Sequence, residues 1–168
     1  SIDSINQSMD ALYQKASLQY KAQNIILMGD SAGGNLIISL VQRLLTAKAA
    51  IPRQIIAISP LVDCSLSQAA CHTINAKDPM LSVQGVLSAN TLCAASIPLN
   101  DPQISPLFGS FKGFPSVQLF VAENDILSPG IELMILKMQA QNTTLDIIRG
   151  ESMPHVWPVL FFFKEAKL

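Results

Sequence analysis

Charge is scarce in this chain. Only 14% of its 168 residues are Asp, Glu, Lys or Arg, against about 25% in an ordinary soluble domain, and the net charge is -1. With no basic run or basic excess, the sequence offers nothing to a phosphate backbone or an anionic membrane surface, so nucleic acid is not an expected partner. Long apolar runs are missing too. Stretches such as 25–28 and 159–163 fall far below the roughly 18 residues that a membrane span requires. Cys64, Cys71 and Cys93 are odd in number and none forms a C-x-x-C pair, which argues against a disulfide framework. A zinc site from Cys64, Cys71, His72 and Cys93 would lack the usual paired-ligand spacing, so these read as buried or free thiols. Histidine is scarce: His72 and His155 are the whole supply.

What is abundant is apolar. Hydrophobic residues make up 49% of a chain the size of one domain, as expected for strands covered on both faces of a parallel sheet. Ile5, Met9, Leu12 and Ala16 recur at helical spacing and predict a first helix ending near Tyr20 with those residues as its apolar face. A buried strand is expected over 24–29, a helix over 35–48 and a second strand over 54–59 closed by Pro60. Residues 61–100 are Ser- and Ala-rich, with weak helical signals around 65–74 and 82–95, and read as an insertion outside the sheet. A third strand over 117–122, a helix over 129–141, a fourth strand over 144–149 and a final helix over 159–167 complete the pattern. Strands separated by helices imply right-handed parallel crossovers, so the expected fold class is α/β, a mostly parallel sheet with flanking helices in one domain over 1–168.

Between the first strand and its helix stands Gly29-Asp30-Ser31-Ala32-Gly33-Gly34. A bare G-x-S-x-G can be an ordinary glycine-rich turn. Here it joins a strand signal to a helix signal, the setting of a nucleophile elbow, in which small residues flank a serine held in a strained turn. Gly29 and Gly33 meet that demand for small flanks. The turn would present the Ser31 hydroxyl above the sheet and put the Ala32 N–H at a helix start, where it can serve as one donor of an oxyanion hole. Asp30 reads as a structural elbow residue.

A serine hydroxyl needs an imidazole to take its proton, and that imidazole works best when a carboxylate fixes its tautomer. In open parallel sheets reactive groups gather at the carboxyl ends of strands. The loops after the third and fourth strands hold Glu123-Asn124-Asp125 and Met153-Pro154-His155. His155 is the preferred base over His72, which lies in the insertion, and Asp125 the preferred acid over Glu123, because it sits further past the strand. Asp63, Asp78 and Asp101 read as turn and cap residues. Phe108, Trp157 and Phe161 read as core, with an acyl-pocket lining as the alternative. The order Ser31, Asp125, His155 excludes a trypsin-like protease, where the serine comes last and the fold is all-β.

On these residues the chain resembles the α/β-hydrolase superfamily, and within it the hormone-sensitive-lipase-like, acetyl-esterase-like members. The likeness is carried by Gly29 to Leu36, by Asp101-Pro102 with Ser105-Pro106-Leu107, by the segment from Ala122 to Leu127, and by Met153-Pro154-His155-Val156-Trp157. It implies a serine carboxylesterase for short- or medium-chain acyl esters, with Ser31 as nucleophile, Asp125 as orienting acid, His155 as base, no metal and no cofactor. It also implies a lid role for residues of about 61–100. The family's His-Gly-Gly-Gly segment, which completes the oxyanion hole, is absent. The chain is therefore expected to be the carboxyl-terminal portion of a longer esterase. Its strand 24–29 would be left as an apolar edge needing cover from an amino-terminal segment or a second chain. The competing expectation is a catalytically impaired hydrolase-fold module that binds a small molecule or a protein.

Overall fold

The computed structural model describes residues 2–167. Helix α1 (Ile2–Gln19) leads through a single helical turn, Ala22–Asn24, into β1 (Ile26–Asp30) and directly into α2 (Ser31–Thr46). Then come β2 (Gln54–Ile58), the short helix α3 (Ala69–Ile74), α4 (Val83–Ala94), β3 (Ser116–Asn124), α5 (Ser128–Ala140) and β4 (Leu145–Pro154). The four strands form one sheet in the order β1-β2-β3-β4. All three pairings are parallel, with Met28 beside Ile56, Ile56 beside Gln118 and Gln118 beside Asp146. Consecutive order with helical crossovers is the simplest way to bury apolar strands, and it brings every strand's carboxyl end to one rim.

Alternation along the strands divides the apolar residues between two faces. Ile55, Ala57, Val117, Leu119 and Val121 face α2 and α5, where they meet Ile37, Ile38, Val41, Ile131, Met134 and Met138 in the main core. The opposite face is thinner. Ile58, Phe120 and Ala122 are covered there by Val156 and Trp157, and the Phe120 and Trp157 rings meet edge to face at 6.0 Å.

Three expectations need correction. The strand around 24–29 is not buried: Ile26 and Met28 are 50% and 62% exposed, because β1 pairs only with β2 and only its other face packs on helices. The buried stripe of α1 is anchored by Ile2 and Tyr13, while Ile5 and Leu12 are exposed. The helix is held to α2 by the Arg43–Asp10 ion pair (2.8 Å) and to the connection after α2 by the Tyr13 hydroxyl donating to the Ala50 carbonyl (3.0 Å). The expected helix over 159–167 is not formed: a single helical turn at Trp157–Val159 is followed over 160–167 only by turns and bends. So short a segment needs a packing face to stay helical, and Phe161 stands 82% exposed with none.

Candidate active site

Four residues stand at the same step of the fold, each the first past the end of a strand: Ser31 after β1, Ser59 after β2, Asp125 after β3 and His155 after β4. Parallel register pairs these ends two by two: Asp30 lies beside Ile58, level with Phe120, whereas β3 and β4 run on together to Asn124 beside Pro154. Residues far apart in sequence therefore share the rim of carboxyl ends.

The Ser31 backbone is left-handed at φ 50°, the strained turn expected of an elbow. Tight packing enforces it. A Cβ on Gly29 would sit 2.5 Å from the Gly33 carbonyl oxygen, and one on Gly34 would sit 2.6 Å from the Pro60 Cβ. A Cβ on Gly33 would meet nothing closer than 4.0 Å. The steric demand thus falls on Gly29 and Gly34, and Gly33 contributes its carbonyl to the close approach without itself needing to lack a side chain. Ser31 is half-buried and Ala32 is exposed at the start of α2, where its N–H has no intrahelical partner. Asp30 occupies the residue before the helix without making a side-chain cap.

His155 and Asp125 meet directly. His155 Nδ1 lies 2.8 Å from Asp125 Oδ2, with the two residues 4% and 0% exposed. The other Asp125 oxygen accepts from the Leu127 N–H at 2.9 Å, so the carboxylate is held at both ends. An ionised Asp125 makes Nδ1 the protonated ring nitrogen and leaves Nε2 with its lone pair free. Nε2 hydrogen-bonds to no described residue, Ser31 included, yet no buried side-chain nitrogen or oxygen among the described residues lacks a partner. Nε2 therefore keeps some contact with solvent. Glu123, the alternative acid, instead accepts from the Ser152 N–H. His72 is exposed on α3 and hydrogen-bonds to neither Ser31 nor Asp125.

The turn-forming carboxylates are where their sequence context put them. Asp63 takes the N–H and hydroxyl of both Ser65 and Ser67, and Asp101 takes the Gln103 N–H. Asp78 accepts from the N–H groups of Met80 and Leu81 and, beyond that cap, from the Ile126 N–H at 2.9 Å. That last bond ties the 61–100 segment to the residue after Asp125, a link that no local pattern announces. Of the three aromatics considered, Trp157 alone is core, and Phe108 and Phe161 are exposed. Burial pushes the Cys64 thiol up to about 11, and its Sγ donates to the Ile104 carbonyl. Two concavities are lined by none of Ser31, Asp125 and His155. One of about 990 Å³ runs between α1, α2 and the 101–112 loop, and one of about 550 Å³ lies on the flank of β3 and β4. No helix among the described residues is long and apolar enough to cross a membrane.

Comparison with known proteins agrees with this architecture. A model of the alpha/beta hydrolase fold matches residues 2–159. An esterase of Acinetobacter venetianus is 30% identical over 126 residues, covering 72% of this chain and 42% of its own length. The esterase LipU of Mycobacterium tuberculosis is 27% identical over 147 residues, 84% of this chain and 47% of its own. Among solved structures, one crystallised esterase superposes with a TM-score of 0.90 at 27% identity, over 96% of this chain and 50% of the other. An esterase of the bacterial hormone-sensitive lipase family superposes at 0.81 with 25% identity, over 85% of this chain and 48% of the other. The chain spans about half the length of the proteins it matches.

Proposed function

The chain belongs to the alpha/beta hydrolase fold family, and from that premise we propose that it carries the nucleophile, acid and base of a serine esterase acting on short- or medium-chain acyl esters. The single observation that carries the proposal is the buried His155–Asp125 pair at 2.8 Å, on the rim where Ser31 is held at φ 50°.

The chemistry runs as follows. His155 Nε2 takes the Ser31 hydroxyl proton as Oγ attacks the ester carbonyl carbon, and the carbonyl π pair moves onto oxygen. The Ala32 N–H donates to that oxyanion, and Asp125 stabilises the imidazolium through Nδ1–H. Collapse expels the alcohol, which leaves with the proton from Nε2. Water then repeats the sequence on the acyl-Ser31: Nε2 takes its proton, the tetrahedral adduct expels Ser31 Oγ, and Nε2 returns the proton to it. Contacts of this kind often close only when substrate is bound, and the Ser31 hydroxyl must swing onto Nε2.

One donor is half of an oxyanion hole, and each donor contributes about 2.7–4 kcal/mol to the transition state. The exposed Ala32 and the open edge of β1, with Ile26 and Met28 uncovered, support a site completed by further polypeptide, an amino-terminal segment or a second chain. In this reading residues 61–100 are a lid, with Asp78 as its tie to the acid loop. The hydrolysis of p-nitrophenyl acetate, butyrate and dodecanoate tests the assignment. Turnover should fall to background in Ser31→Ala and His155→Ala and should decline from butyrate to dodecanoate; undiminished turnover in either variant overturns it.

A further inference from the structure

Past the end of β2 the chain makes a turn that touches both halves of the site. Ser59 is 0% exposed and left-handed at φ 43°. Its N–H donates to the Phe120 carbonyl at 2.9 Å, and its hydroxyl oxygen accepts from the Val156 N–H at 3.1 Å, across 97 residues of sequence. The next residue, Pro60, is the one packed against Gly34 of the elbow. The residue after that, Leu61, donates its N–H to the Ser31 carbonyl at 3.0 Å and accepts from Asn35 Nδ2 at 2.7 Å. Three consecutive residues therefore grip the backbone of Ser31 at one end and the residue following His155 at the other.

Val156 shows what that grip does. It is a β-branched residue held at φ 51°, ψ 30°, a conformation such residues adopt only when their surroundings impose it. It is buried, with Trp157 packed beside it on Phe120. The Ser59 oxygen is the acceptor for its N–H, and without it a buried donor would be unpaired and the local strain unopposed. The direction in which the chain leaves His155 sets where the imidazole stands, so the constraint on Val156 is a constraint on the ring.

We propose that Ser59 is a positioning residue for the base: its hydroxyl, acting through the Val156 N–H, fixes the His155 imidazole relative to Ser31. This rests on the reading of Ser31 as nucleophile and His155 as base. Ser59 touches neither substrate nor reacting atoms. The path from nucleophile to base runs from the Ser31 carbonyl to the Leu61 N–H, along the chain to Ser59, and from its oxygen to Val156.

The test uses the whole 168-residue chain as Ser59→Ala and Ser59→Gly. Both remove the hydroxyl, and glycine also relieves the left-handed backbone, so it carries the test should the alanine variant not fold. In a His72→Gln background a single imidazole remains, and its Nδ1 proton is followed by NMR. Exchange of that proton with water should speed up about tenfold or more once the ring is loosened. Labelling of Ser31 by a fluorophosphonate should slow by about 10- to 100-fold, the size of effect that a misplaced catalytic group produces. A purely structural serine would lower the melting temperature and leave both readouts within twofold, which overturns the proposal. Labelling lost in Ser59→Ala and kept in Ser59→Gly overturns it as well. Should the parent chain not label at all, the reading of Ser31 fails, and the exchange rate of the imidazole proton still decides the role of Ser59.

Discussion

His155 Nδ1 and Asp125 Oδ2 lie 2.8 Å apart, and both side chains are buried. The pair comes from the ends of adjacent strands, β3 and β4, each contributing its first residue past the ladder. A carboxylate so placed dictates which imidazole nitrogen carries the proton. Asp125→Asn keeps the shape and reverses that instruction, so fluorophosphonate labelling of Ser31 should drop by roughly 10³- to 10⁴-fold with the fold retained. Glu123→Gln, which alters only the contact to Ser152, should leave labelling within twofold. Equal losses in the two variants would remove the distinction between acid and bystander.

The elbow makes a steric prediction that differs from its sequence motif. Gly33→Ala should be tolerated, and it should gain about 0.5–1 kcal/mol from better helix propensity, because its Cβ would have 4.0 Å of clearance. Gly29→Ala and Gly34→Ala drive a Cβ into backbone or Pro60 at 2.5 and 2.6 Å and should each cost about 1–3 kcal/mol or more. Chemical denaturation of the three variants checks the order.

That contrast shows where sequence reading reached and where it stopped. Apolar runs bounded by Gly and Pro locate all four strands, although β4 runs on to Pro154, five residues past the expected end at 149, and the motifs around Ser31, Asp125 and His155 point to one rim. Both are local signals. Gly34 matters because of Pro60, Ser59 because of Val156 and Asp78 because of Ile126, and each of those partners arrives only through the tertiary fold. The Ser-Pro step straight after the β2 run was the one available hint of the Ser59 turn. The same limit explains Ile5, Leu12 and the 159–167 segment: helical periodicity names an apolar stripe but not whether a partner surface exists to receive it.

The thiols should separate cleanly. Cys93 is exposed, whereas Cys64 and Cys71 are buried. Titration with a disulfide reagent at pH 8 should modify one thiol per native chain and three after denaturation. Rapid native reaction of more than one thiol would contradict the packing around Cys64 and Cys71.

Cys64 also gives a pH dependence. Burial raises its thiol from 9.0 to about 11, so above pH 9 the unfolded chain loses a proton that the folded chain keeps. The stabilisation is complete below pH 9 and is lost as pH climbs towards 11, by about 2–3 kcal/mol at most. Denaturation of the parent and Cys64→Ala between pH 8 and 11 should show that the parent's excess fall in stability disappears in the variant.

The open edge of β1 makes the last of these predictions. Ile26→Lys and Met28→Lys should leave stability within about 0.5 kcal/mol, since both side chains are exposed, and should suppress concentration-dependent association of the isolated chain. Sedimentation of the double variant beside the parent reads both effects.

The most direct test of the whole account is to treat the protein with a fluorophosphonate, digest it and locate the adduct by mass spectrometry. The account predicts one adduct on the peptide bearing Ser31, absent in Ser31→Ala and strongly reduced in His155→Ala. An unmodified Ser31 peptide, or an adduct formed as fast without His155 as with it, would contradict it.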